Sequence, residues 1–356
     1  MTKLAINGFG RIGRAAFAAA IGLFGSGNRR RKSKRFNADD FEVVAVNDLG
    51  NKKQLVNLLK YDSVYGVFGS EVSLSEDSNY LIVDGKKVRF CSEKSPADLP
   101  WEELGVDVVL ECTGVFADFE EAAMHIDAGA KKVIISTNAK GDGPTVVLGT
   151  DSANNLGALA KEYNVFSNAS CTTNCISPIM QILEDSFGVE KALMTTEHAY
   201  TSTQNLVDGP HRKDPRRARA AGVNSIPTTT GSAKATGKVV PKLNGKFDGI
   251  AIRVPVPCGS ISDVVAVVKK SVSVDEINSA FKEAVDLDEY KGIIDYSEAP
   301  LVSTDIIGDP HSAVFDAPFT RVVGGDLVKI LAWYDNEWAY ANRLVEVAQL
   351  VMNDLG

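Results

Sequence analysis

Near its start the chain places a short apolar run, Lys3 to Asn7, directly before Gly8-Phe9-Gly10-Arg11-Ile12-Gly13, and an Ala-rich stretch from Arg14 to Leu23 follows. The apolar run reads as a strand and the Ala-rich stretch as a helix. Strand, G-x-G-x-x-G and helix, in that order, is the setting in which such glycines bind a dinucleotide. Gly8 permits the tight turn, Gly10 lets the backbone approach a pyrophosphate, and Gly13 lets helix and strand pack closely. The helix N-terminus then offers free N–H groups and the positive end of its dipole to the phosphates.

A glycine turn alone is a common connector, so a second mark is needed. Phe41 to Asn47 (FEVVAVN) is a Val-rich strand with Asp48 at its end. An acidic residue there accepts hydrogen bonds from an adenosine ribose and repels a 2′-phosphate, favouring NAD over NADP. Asp48 lies 35 residues past Gly13, whereas ~20 is usual. The excess matches residues 24–40, FGSGNRRRKSKRFNADD, which read as a basic surface insertion, a solvated loop. Further strand-like runs at Val106–Glu111 and Lys132–Ser136, with helical segments between, give a βαβ pattern and a mostly parallel sheet.

A length of 356 residues suggests about two domains. With 44% hydrophobic and 24% charged residues the composition is that of a soluble globular protein. A net charge of −8 speaks against a dedicated nucleic-acid binder. Five irregularly spaced cysteines argue against a disulfide framework and for a reducing compartment. There is no secretory h-region, and no apolar run approaches the ~20 residues that span a bilayer, so a cytoplasmic protein without a membrane partner is expected.

The second half carries the reactive side chains. Ser167 to Cys175 reads SNASCTTNC, and helical periodicity runs from Ile176 to Phe187. Cys171 is therefore expected on the first turn of a helix, where free N–H groups stabilise a thiolate and lower its pKa. Cys175, one turn later, points into the packing, but the polar neighbours Ser170, Thr172, Thr173 and Asn174 do not suit a core position for Cys171. His198 ends an apolar run inside MTTEHAYTST and is the candidate base. His125 falls on a predicted helix, and His211 and His311 each adjoin a proline; these read as ordinary satisfied histidines. No metal is expected, because Cys171, Cys175 and His198 lack zinc-site spacing.

SNASCTTNC, HAYTSTQ, IPTTTGSAKATGKV, RVPVP and WYDNEW, in that order and with INGFGRIGR at the start, resemble the phosphorylating glyceraldehyde-3-phosphate dehydrogenase family over nearly the whole chain, apart from the basic insertion. The resemblance implies a Rossmann-type NAD-binding domain over 1–169, completed by a C-terminal helix at 337–356, and an α+β catalytic domain with a mostly antiparallel sheet over 170–336. It implies Cys171 as nucleophile and His198 as base. Arg253 and Thr201 match a receptor for the substrate phosphate. Arg217, Thr230 and Gly231 match one for attacking inorganic phosphate, with Ser170 and Thr172 beside the nucleophile. Asn7, Gly8, Gly10, Arg11, Ile12, Gly13, Asp48, Lys94, Thr113, Gly114, Ser136, Asn336 and Tyr340 match cofactor contacts, Asn336 holding the nicotinamide carboxamide. Gly209-Pro210 lies on a loop that, in this family, reaches a neighbouring subunit, and a homotetramer is implied. Arg216 reads as solvated, and Arg219 likewise.

Lys94 stands where many members carry Arg, and Thr137-Asn138 where many carry Ala-Pro; both bear on cofactor affinity, neither on the chemistry. Two alternatives remain at this stage: an erythrose-4-phosphate dehydrogenase with the same Cys and His, and a protein that binds RNA or a membrane surface through Arg29 to Arg35.

Overall fold

The computed structural model describes residues 1–22 and 29–353. The chain divides into two compact units, one of residues 1–146, 155–170 and 340–356, the other of residues 147–154 and 171–339.

The first unit is built on an eight-stranded sheet. Its order is Val165–Ser167, Lys132–Ile135, Val108–Glu111, Thr2–Asn7, Phe41–Asn47, Lys86–Cys91, Tyr80–Val83, Val72–Leu74. The first six strands pair in parallel and the last two are added antiparallel. The central parallel strands Val108–Glu111 and Lys132–Ile135 are buried along their whole length because both faces are covered. The glycine turn behaves as its spacing predicts. Gly8 has φ +92°, and a Cβ on Gly13 would lie 2.0 Å from the Gly8 carbonyl oxygen, so neither position accepts a side chain without the backbone moving. The helix Arg11–Ala20 follows, with Gly10 as its N-cap and no side chain capping it.

The basic insertion departs from expectation. Residues 24–28 of it lie outside the described residues. Of the remainder, Arg30, Ser33 and Phe36 are buried rather than solvated. The Arg30 guanidinium lies 4.5 Å from the centre of the Tyr65 ring and 3.8 Å from the Asp62 carboxylate. Arg35 pairs with Glu346, which also forms an ion pair with Arg343 at 2.9 Å. Cation–π stacking and ion pairing inside the unit hold part of the run that sequence composition assigned to solvent. The helix Trp338–Asn353 supplies Glu346 and, from Tyr340 onward, belongs to this first unit.

The second unit carries a sheet in the order Ile226–Thr229, Phe247–Val254, Val189–Ala199, Ser260–Val268, Leu327–Tyr334, Ala313–Asp316, Ile294–Ser297, with Arg321–Val323 added to Leu327–Tyr334. Pairing is antiparallel except between Val189–Ala199 and Phe247–Val254 and between Ile294–Ser297 and Ala313–Asp316. The helix Cys171–Phe187 packs on one face of this sheet through Cys175, Ile176, Ile179, Met180 and Leu183, all fully buried. That burial fixes the rotation of the helix, and with it the direction in which its first residue points. Among the described residues no helix is long and apolar enough to cross a membrane.

Candidate active site and dinucleotide cleft

Cys171 opens its helix and His198 is the penultimate residue of its strand. Their reactive atoms, Sγ and Nε2, are 3.4 Å apart. On its other side the imidazole Nδ1 lies 2.7 Å from the carbonyl oxygen of Ala199. The carbonyl only accepts and the Arg253 guanidinium, equally close to Nδ1, only donates; the tautomer that donates from Nδ1 to the carbonyl leaves Nε2 facing the thiol with a bare lone pair. Arg253 donates to the same carbonyl from NH1 at 3.1 Å, which brings that nitrogen to 2.7 Å from Nδ1. Burial, and then the Arg253 cation, hold His198 down at about 3, so the ring is neutral. Burial pushes the Cys171 thiol up, while Arg253, the Thr172 hydroxyl and the backbone N–H groups of the first helical turn pull it down. The expected depression of this thiol is thus present but outweighed by burial. The geometry suits a base that takes the thiol proton as sulfur attacks.

Tyr334 was not singled out from the sequence. Its hydroxyl sits 2.9 Å from Thr172 Oγ1 and 2.9 Å from Thr196 Oγ1, and its ring meets the His198 ring edge-on at 6.0 Å. The motif WYDNEW marked the neighbourhood, but nothing local tied residue 334 to residues 172 and 196.

Apart from Ser170, the anion-binding candidates lie in the same unit as Cys171 and His198. Arg253 is half-buried, and its buried Nε finds no partner among the described residues. A buried donor of this kind is costly unless a ligand satisfies it. Arg217 donates from Nε to Thr228 at 3.0 Å and lies 3.5 Å from Thr203, which in turn bonds Thr201 at 2.8 Å. Its charge also helps to lower His198. Thr230 donates to Ser232 at 3.0 Å, and Gly231 is the N-cap of the helix Ser232–Val239 with no side chain capping it. Arg219 pairs with Asp208 at 2.8 Å on the exposed loop, and Arg216 is exposed beside it, as expected for solvated residues. Asn336 gives its side-chain oxygen to Ser260 and to the Gly259 N–H at 2.9 and 3.2 Å, which leaves its amide N–H groups as the donors for a carboxamide oxygen. Burial pushes Cys91 and Cys175 up as well, and burial with Glu111 pushes Cys112 up to about 12.

In the first unit a cleft of ≈ 840 Å³ opens at the carboxyl ends of the parallel strands, with Gly8, Gly10, Asp48, Lys94 and Thr113 in its wall. This is where doubly wound sheets bind ligands. A Cβ on Gly10 would meet nothing within 4 Å, so the space over the turn is open, whereas one on Gly8 would strike the Thr113 nitrogen at 2.6 Å. Asp48 accepts the Phe9 N–H at 2.8 Å and the Gly50 N–H at 2.7 Å, one on each oxygen, leaving lone pairs for ribose hydroxyls. The cradle fits a dinucleotide. Arg11 is turned to Asp62 at 2.8 Å, while Gly114 is exposed and Ser136 is anchored through its N–H to Glu111. Tyr340 is buried and donates its hydroxyl to the Ala169 carbonyl at 2.8 Å; like Asn336, it does not line this cleft.

Comparison with known proteins agrees with this arrangement. Residues 2–119 match the family model of the glyceraldehyde 3-phosphate dehydrogenase NAD binding domain, and residues 170–336 match that of its C-terminal domain. The chain belongs to the glyceraldehyde-3-phosphate dehydrogenase family. It is 50% identical to the glyceraldehyde-3-phosphate dehydrogenase of Streptomyces coelicolor over 358 residues, covering 99% of both chains. It is 49% identical to glyceraldehyde-3-phosphate dehydrogenase 2 of Streptomyces avermitilis and 48% identical to the Mycobacterium avium enzyme, again over 99% of each chain. Family membership accounts for the two sheet types seen here: a Rossmann-type NAD-binding part and a catalytic part with a mixed, mostly antiparallel sheet.

Proposed function

We propose that the protein oxidises and phosphorylates D-glyceraldehyde 3-phosphate to 1,3-bisphosphoglycerate with NAD, as a glycolytic or gluconeogenic enzyme. The observation that carries this is the 3.4 Å approach of Cys171 Sγ to His198 Nε2, beside Arg253 with its buried, unpartnered Nε. Residues 1–169 with the C-terminal helix hold the cofactor, and residues 170–336 do the chemistry.

His198 Nε2 accepts the thiol proton as sulfur bonds to the aldehyde carbon, and the carbonyl π pair moves onto oxygen. The imidazolium returns that proton to the oxygen, giving a hemithioacetal. It then takes the hydroxyl proton again as the C–H bond breaks and the carbonyl of a thioester reforms on Cys171. NAD, when bound, accepts the hydride. An oxygen of inorganic phosphate attacks the thioester carbon, the C–S bond breaks, and the thiolate leaves. Arg253 with Thr201 receives the substrate phosphate; Arg217, Thr230 and Gly231, with Ser170 and Thr172 nearby, receive the attacking one.

A cytoplasmic homotetramer fits the remaining observations. All five cysteines are free thiols. The outer sheet face of the second unit exposes Leu193, Ile250 and Val265, an apolar surface suited to another copy.

The test is NADH formation from glyceraldehyde 3-phosphate and NAD, with and without inorganic phosphate, beside Cys171→Ser. Phosphate-dependent turnover that the mutant loses supports the proposal. Phosphate-independent turnover refutes phosphorolysis, and faster turnover of erythrose 4-phosphate refutes the substrate.

A further inference from the structure

Beneath the dinucleotide cleft lies a line of buried polar side chains that the chemistry above does not use. Trp101 donates its indole N–H to His125 Nδ1 at 2.9 Å. An indole only donates, so Nδ1 accepts, and the His125 proton sits on Nε2, 3.1 Å from Glu111 Oε2. Asn7 donates its amide to that same oxygen at 2.5 Å. Glu111 Oε1 accepts both the backbone N–H of Thr113, at 2.8 Å, and the Thr113 hydroxyl. With its amide N–H turned to the carboxylate, Asn7 presents Oδ1 to Asn47 Nδ2 at 2.7 Å. Asn47 in turn bonds the backbone N–H and C=O of Glu93 at 2.8 and 2.9 Å. Trp101, His125 and Glu111 are at most 1% exposed.

One end of this line is a donor-only indole, and its junction is an acceptor-only carboxylate. Every amide and ring between them therefore has one allowed orientation. Four of the groups so fixed, Asn7, Asn47, Glu93 and Thr113, form part of the cleft wall, and they come from the ends of separate strands or the loops after them.

We infer that Glu111, held by His125 and Trp101, is a positioning residue that sets the affinity of the cleft for NAD without taking part in the chemistry; this rests on the assignment of the cleft as the NAD site. Glu111→Gln keeps the volume but turns one acceptor into a donor facing other donors, so one arm of the junction must break. His125→Leu removes the donor to Glu111. His125→Gln retains it, because a glutamine accepts from Trp101 through its oxygen and donates to Glu111 through its nitrogen.

The experiment is calorimetric titration of NAD into the full-length protein and these variants, with kcat measured at saturating NAD and melting temperatures alongside. Kd for NAD is expected to rise about tenfold in Glu111→Gln and His125→Leu, to return to within about twofold in His125→Gln, and kcat to stay within about twofold throughout. Trp101→Phe, which deletes only the far donor, provides a milder variant should the others not fold, with an expected rise of about threefold. Kd values that stay at the wild-type level while melting temperatures fall would overturn the inference, as would failure of His125→Gln to restore binding that His125→Leu loses. Absence of NAD binding by the unaltered protein would instead overturn the assignment of the cleft.

Discussion

Replacing Arg253 with Gln separates its two roles. The guanidinium donates to the Ala199 carbonyl, stands 2.7 Å from His198 Nδ1, and leaves a buried Nε unpartnered. A charge-assisted hydrogen bond contributes about 1.5–3 kcal/mol, so two such bonds to the substrate phosphate are worth roughly 3–6 kcal/mol, or about 10²–10⁴ in kcat/KM. Glyceraldehyde without its phosphate never makes those bonds, so its kcat/KM should fall by no more than about tenfold in the mutant, through the altered electrostatics of the Cys–His pair. The sign of that alteration follows from the charges. Removing a cation disfavours the thiolate, so the Cys171 thiol rises further; it also relieves the imidazolium, so His198 rises. The assay is kcat/KM for both aldehydes, with the pH dependence of iodoacetamide alkylation of Cys171 as a second readout. Equal losses for the two aldehydes would refute phosphate recognition by Arg253, and an alkylation midpoint that stayed in place or moved to lower pH would refute its electrostatic role.

Two further substitutions probe the same pocket. His198→Asn removes the base facing sulfur and should lower kcat/KM by about 10²–10⁴ in the NADH assay; a loss under about tenfold would mean that the proton leaves Cys171 by another route. Tyr334→Phe strips the hydroxyl from between Thr172 and Thr196 and should cost about 1–2 kcal/mol, seen as a lower urea midpoint; an unchanged midpoint would show that the three hydroxyls do not act as a structural unit.

What the sequence disclosed was whatever is local. The glycine turn is legible because its demands fall within six residues: the close approach of Gly13 to the Gly8 carbonyl follows from spacing alone. Cys171 announced itself by polar neighbours where a core cysteine would have apolar ones, and His198 by ending an apolar strand. Tyr334, Thr196, Glu111 and Trp101 are not legible there, because each acquires its importance from partners brought near by tertiary packing, such as residues 172 and 334. The basic insertion was misread for the opposite reason. A charge run scores as solvated when its residues are summed, yet Arg30 is buried because one aromatic face, Tyr65, and one carboxylate, Asp62, meet it there. The thiol shows a competition that no motif encodes: helix-end stabilisation is local and readable, whereas the burial opposing it depends on the whole fold.

The first unit is interrupted in sequence, and this bears on how the chain is made. Leu344, Val345, Val347, Ala348 and Val351 are fully buried, and they belong to the unit whose other parts end at Ser170. At ~5–20 residues per second the ribosome takes roughly 10–30 s to translate the residues in between. Throughout that interval the nascent dinucleotide domain lacks its last helix, and the surface that this helix will cover stays open. The second unit is complete in sequence before the first one closes, so a helix made after the second unit seals a domain begun before it.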